Sequence, residues 1–169
     1  MFIVLLTVNL CIKIKVNQAP ELDLGPNLLI NGDFSLPNMD SVPSKWRYVP
    51  QAEVPGWDSE GDDIEIGRGN IYNSLWTNDQ VCELDARRNY AVFQKVTLTE
   101  IKKCKLEFKW AARSVALTTN GFKLLWNGEL VEAINPPDYK IHDYSVELQG
   151  KVGDNEVRFV GTNESNSYG

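Results

Sequence analysis

The chain has 169 residues, 43% of them hydrophobic and 24% charged, which suits one globular domain with a real core and excludes a disordered chain. Its formal net charge is −6 at pH 7. That balance argues against nucleic acid or an anionic membrane surface as partner, because little is available to neutralise phosphates.

Residues 2–12 (FIVLLTVNLCI) form an apolar run of the length of a signal-peptide core, too short to span a bilayer comfortably, so no stable membrane insertion is expected. The reading assigns 1–19 to a signal peptide cleaved after Ala19, 20–26 to a Pro-Gly spacer, and 27–169 to the folded domain. The competing reading of the run is a buried N-terminal strand. Residues 27–34 (NLLINGDF) are a short apolar run ending in the turn signal Asn31-Gly32-Asp33. Residues 36–56 carry Pro37, Pro43, Pro50 and Pro55, which predicts a long loop or short edge pieces. Residues 62–67 (DDIEIG) alternate as a short strand, and 68–79 (RGNIYNSLWTND) read as a loop that holds Tyr72 and Trp76.

Three strand-like runs follow within 80–114. Cys82, Leu84 and Ala86 alternate with Glu83 and Asp85. Val92, Gln94, Val96 and Leu98 alternate with Phe93, Lys95 and Thr97. Cys104, Leu106, Phe108 and Trp110 alternate with Lys103, Lys105, Glu107 and Lys109. Such a two-residue period places the apolar groups on one face of an antiparallel sheet. Asn127-Gly128 between residues 122–126 and 129–134 is a strong hairpin signal. Strands carrying Tyr144, Val146 and Leu148, then Val157 and Phe159, complete the chain. Eight or so short strands without a convincing helix indicate an all-β sandwich.

Cys11 would leave with the leader. Cys82 and Cys104 both fall on inward strand faces and could form a disulfide closing a loop of roughly 20 residues, stabilising by about 3 kcal/mol. Two buried thiols are the other reading, and hold if the strand of Val92 lies between theirs, since next-but-one strands are about 9–10 Å apart. No CxxC or Cys/His cluster points to zinc.

His142, the only histidine, sits beside Asp143 without a nucleophile elbow, and acidic pairs such as Asp62-Asp63 and Glu83/Asp85 read as a solvated face. No enzyme is expected. Sugars are held by aromatic rings against their C–H faces, with amides, carboxylates and guanidinium groups on their hydroxyls. The aromatics in loop-like stretches are Trp46, Tyr48, Trp57, Tyr72 and Trp76. Of these, Trp57, Tyr72 and Trp76, with Arg113, form the expected carbohydrate site. Each also has a structural reading: the rings as core, and Arg113 as a partner of Asp85 or Glu83. Trp110 and Trp126 share faces with apolar neighbours and read as core. The sequon Asn163-Glu164-Ser165 would carry a glycan in an exported glycoprotein.

These pieces in this order (NLLINGDF, VPGWDS, DIEIG, VCELDA, YAVFQKVTL, LEFKWAARS, FKLLWNGELV) resemble the galactose-binding-like β-sandwich family, which includes many carbohydrate-binding modules. The resemblance covers nearly all of 27–165. It implies a two-sheet antiparallel jelly roll, a secreted or cell-surface location, and binding to carbohydrate or a cell-surface glycoprotein; an adhesion or matrix module is the alternative. It also implies a structural calcium, for which Asn31 and Asp33 offer oxygens. Ser35 stands where members commonly have a Glu that helps hold that calcium. The chain stops at Gly169, before the Asp-Asn-Val strand that closes the family pattern. The last strand is thus missing, and either the sequence is a C-terminally truncated fragment or its first strand lies beside an unpaired edge.

Overall fold

The computed structural model describes residues 7–12, 26–77, 79–84, 90–113 and 121–162. Among the described residues eleven strands run β1 (Thr7–Ile12), β2 (Trp46–Pro50), β3 (Asp58–Ser59), β4 (Asp63–Arg68), β5 (Gln80–Glu83), β6 (Ala91–Leu98), β7 (Lys102–Trp110), β8 (Phe122–Trp126), β9 (Glu129–Ile134), β10 (His142–Gly150) and β11 (Gly153–Gly161). A 3-10 turn (Gln51–Glu53) and an α-helical turn, α1 (Gly69–Tyr72), interrupt them. Every ladder among these strands is antiparallel. Hydrogen bonding gives a five-stranded sheet, β3-β6-β11-β8-β9, and two three-stranded sheets, β1-β7-β10 and β2-β4-β5. One apolar core draws on all three, with Ile64, Ile66 and Leu84, then Val92, Leu124 and Phe159, then Leu106, Phe108 and Leu148. This is the expected all-β sandwich.

The alternation reads through to burial. In β7 the side chains of Cys104, Leu106, Phe108 and Trp110 are buried while Lys103 and Lys109 are exposed. In β6 the inward row contains Gln94, a polar group that burial penalises unless it is hydrogen-bonded. Its amide donates to the Ile30 carbonyl (2.9 Å) and accepts from the Ile30 amide (2.7 Å). A side chain on a strand thereby holds a loop in place. Asn127 and Gly128 both have positive φ, 53° and 86°, the backbone of a tight hairpin between β8 and β9.

Residues 27–34 are turns around a single bridge at Asn27. Thr7–Ile12, within the run read as a leader or as an N-terminal strand, forms β1 and pairs with β7. Two expectations are corrected. Glu83 does not lie on a solvated face: residues 69–77 cover that side of β5, and it is 2% exposed. Cys82 and Cys104 are free, buried thiols on different sheets, β5 and β7, so no disulfide joins them. Asp85, Ala86, Ser114 and the sequon at Asn163 lie outside the described residues.

Trp57 fills the core beneath the first loop. Gly56, at φ 82°, turns the chain inward, and a Cβ there would meet Ile30 at 2.8 Å. The indole then stacks on Phe34 at 4.8 Å and donates its N–H to the Asn31 carbonyl at 3.0 Å. Trp57→Ala should lower unfolding free energy by about 3–5 kcal/mol. Chemical denaturation checks this, and a loss below about 1 kcal/mol would show that the ring is not a core plug.

Candidate functional site

The sheet β2-β4-β5 has one face on the main core and a second face with a different composition. Its register sets Tyr48 opposite Glu65 and Glu65 opposite Glu83. It sets Trp46 opposite Gly67 and Gly67 opposite Val81. Directly opposed residues share a face, so two aromatics and two carboxyls form adjacent rows across three strands.

Residues 69–77 fold over these rows. Tyr72, Trp76, Val81 and Ala111 form a second apolar cluster, with Trp46 and Ile141 packed against it. Glycine is required twice beneath them, since a Cβ at Gly69 would collide with the Trp76 ring and one at Gly67 with Tyr72. Asn73, fully buried, ties the cover down by donating to the carbonyls of Ala112 (2.9 Å) and Tyr139 (3.0 Å).

Under this cover Tyr72 Oη donates to Glu65 Oε1 at 3.0 Å. Arg113 Nη1 donates to Glu83 Oε1 at 3.1 Å, and its guanidinium lies 5.2 Å from the Tyr72 ring centre. Burial first, then the neighbouring Glu65, pushes the Glu83 carboxyl up to about 10 against the opposing pull of Arg113. Burial and the same two carboxyls raise the Tyr72 phenol, so it stays a donor. Burial beside Glu65 thus favours the protonated form of Glu83. The cluster satisfies itself and exposes only one flank of Arg113.

Three of the four residues expected to hold sugar are thus core: Trp57 and Trp76 are 2% exposed and Tyr72 5%. Arg113 is bound to Glu83, the structural alternative for it. Trp46 and Tyr48 stay half-buried on the edge strand β2, with rings 5.6 Å apart edge to face. His142 is held between the Trp110 ring, stacked at 4.6 Å, and Asp138, 2.9 Å away.

An open cleft lies where β2 begins, β4 ends and α1 starts. It has a volume of about 330 Å³ and is lined by Asp40, Lys45, Arg68, Asn70 and Ile71. Asp40 pairs with Arg68, and Lys45 Nζ donates to the Asp40 carbonyl at 2.5 Å. Asn70 is exposed, and so is Ile71 at 44%. The wall is held from behind by buried Gln80. Its amide donates to the carbonyls of Phe34 (2.6 Å) and Pro37 (2.9 Å) and accepts from the Met39 amide (2.6 Å). Donors, an acceptor and an apolar side chain thus converge on one small volume, the composition of a site for a polar ligand. None of these five residues stands out in sequence, because no periodicity marks them.

Asn31 and Asp33 serve their own turn. Asn31 bonds both ways with the backbone of Leu36, and Asp33 Oδ1 accepts from the Ser35 amide. Among the described residues no three His, Cys, Asp or Glu side chains converge on a metal position.

No family profile matches the chain. Two curated relatives are each named a multifunctional-autoprocessing repeats-in-toxin. The one from Vibrio vulnificus is 26% identical over 159 residues, 92% of this chain. The one from Vibrio cholerae serotype O1 is 25% identical over 147 residues, 85% of this chain. The chain spans about 3% of the length of either. Among solved structures, a family 35 carbohydrate-binding module from Clostridium thermocellum is similar with a TM-score of 0.47 at 10% identity, covering 71% of this chain and 88% of that one. A family 35 module from an environmental isolate gives 0.38 at 10% identity, covering 48% and 60%.

The buried acid pair makes stability depend on pH. A carboxyl whose folded value is raised to about 10 contributes fully below its ordinary value near 4.5 and loses that contribution as pH climbs through the folded value. Stability should fall across this window by at most about 1.4 kcal/mol per pH unit. Glu83→Gln removes the titrating group, so its denaturation midpoint should vary less between pH 5 and 9. Equal slopes in the two proteins would show that Glu83 is ionised in the fold.

Proposed function

We propose that this chain is a non-catalytic β-sandwich module that binds carbohydrate of a cell surface or cell wall. The observation that carries the reading is the cleft of Asp40, Lys45, Arg68, Asn70 and Ile71. Carboxylate, ammonium, guanidinium and amide groups match the hydroxyls of a sugar, and Ile71 offers an apolar surface to its C–H face. The half-buried pair Trp46 and Tyr48 lies on the strand that starts at this cleft and extends the surface available to a longer glycan. A secreted or cell-surface location belongs to this proposal and is supported by the apolar run at residues 2–12 and the sequon at Asn163.

A second reading, an adhesion or purely structural module, is favoured by the burial of Trp57, Tyr72 and Trp76. Without those rings the binding surface is smaller and more polar than the loop aromatics suggest.

A glycan array separates the two. The protein should bind one coherent sugar class, and the double substitution Asn70→Ala with Ile71→Ala should weaken binding by at least about tenfold with little change in thermal midpoint, since both residues are exposed. A blank array with folded protein, or equal binding by the variant, would remove the cleft from the function.

A further inference from the structure

The cleft of Asp40, Lys45, Arg68, Asn70 and Ile71 contains one residue whose backbone does not suit its side chain. Lys45 has φ 62°, in the left-handed region where a Cβ crowds the following carbonyl and where glycine or asparagine sits more readily. The local fold demands that conformation. The Lys45 amide donates to the Val42 carbonyl at 2.9 Å, and the Lys45 carbonyl accepts from the Arg68 amide at 2.9 Å. Both bonds are made by backbone groups, so a glycine would form them without strain. Strain of this kind persists where the side chain serves a site.

The groups around Lys45 show what that service is. Its Nζ donates to the Asp40 carbonyl at 2.5 Å, which engages one of its three N–H groups and fixes the ammonium beside Asp40. Asp40 Oδ1 pairs with Arg68, and the Asp40 side chain is still 63% exposed, which leaves its carboxylate accessible as an acceptor. An ammonium held beside an accessible carboxylate presents donors and acceptors side by side. Two hydroxyls on neighbouring carbons are the complement, since each donates to the carboxylate and accepts from the ammonium. The cleft volume of about 330 Å³ is near the lower end of the roughly 300–1,000 Å³ of small-molecule sites, a size for one sugar residue rather than a chain segment.

We propose that Asp40 and Lys45 clamp the vicinal hydroxyls of a single terminal sugar residue, and that Lys45 is the residue that sets this specificity. The proposal rests on the carbohydrate reading of the cleft and names the part of the sugar that is read. Asn70 and Ile71 flank the clamp, one with an amide for a further hydroxyl and one with an apolar surface.

The test uses the full chain and the array glycans that it binds, each immobilised untreated and after periodate oxidation with borohydride reduction, which break the carbon–carbon bond between vicinal hydroxyls. Binding should fall at least about tenfold on the oxidised glycans, and the methyl glycoside of the terminal residue should compete for the untreated ones. Lys45→Met, which removes the ammonium, should weaken binding at least about tenfold. Lys45→Gly should lose binding equally and keep its thermal midpoint within about 2 °C of wild type, because relief of the left-handed strain offsets the freedom that glycine adds to the unfolded chain. Binding that survives oxidation, that the methyl glycoside does not displace, or that is unchanged in Lys45→Met would overturn the clamp while leaving the carbohydrate reading in place. A fall of more than about 5 °C in the midpoint of both Lys45 variants would make Lys45 a loop strut and overturn it as well. A blank array with folded wild-type protein would remove the carbohydrate reading and the clamp together.

Discussion

The cleft depends on one buried amide. Gln80 opens β5 with its side chain 4% exposed, a position where an unpaired amide would be costly. It is paired three times, always with backbone groups of residues 34–39. Those residues contribute no strand, and no regular ladder would otherwise fix them. Gln94 does the same for Ile30 from the other side of the sandwich. Two glutamines on strands thus convert an irregular segment into a defined wall, and Asp40 at its end meets Arg68 and Lys45 in a constant position. A ligand binding there meets a surface already ordered, which lowers the entropic cost of association.

The second face of β2-β4-β5 shows polarity used differently. Glu65, Glu83, Tyr72 and Arg113 carry the groups of a catalytic or sugar-binding set, yet each satisfies another. Burial and the facing Glu65 favour the protonated form of Glu83, since two negative charges opposed in a buried row would repel. Neither carboxyl is left facing solvent as a base or an acid. Such a network specifies how residues 69–77 sit on the sheet, and so where Asn70 and Ile71 present themselves to the cleft.

Sequence and structure agree where burial follows a local period. The inward rows of β6, β7 and β11 and the Asn127-Gly128 hairpin were legible because strand geometry dictates them residue by residue. The pairing of Arg113 with an acid at the end of a core strand was legible for the same reason. The loop aromatics were not. Tyr72 and Trp76 lie among Gly, Asn and Ser, a composition that reads as exposed, yet Gly67 and Gly69 are the hollows that receive them. Glu83 alternates as a surface residue does, and only the segment covering it buries it. The cleft residues were invisible because 40–45 and 68–71 are brought together by the Arg68 amide bonding to the Lys45 carbonyl, a contact with no local signature.

The N-terminal run shows how composition and phase answer different questions. Its hydrophobicity suits a leader, and a leader needs no alternation, since it is read as a continuous apolar stretch. A strand needs alternation in phase with its neighbour, and Thr7–Ile12 meets that condition against β7 at all six positions. Hydrophobicity averaged over the run hides this, because residues 2–6 (FIVLL) are apolar without a break. The residues that distinguish the two uses are Thr7, Asn9 and Cys11. In the register of β1 they stand opposite Lys109, Glu107 and Lys105, the outward row of β7.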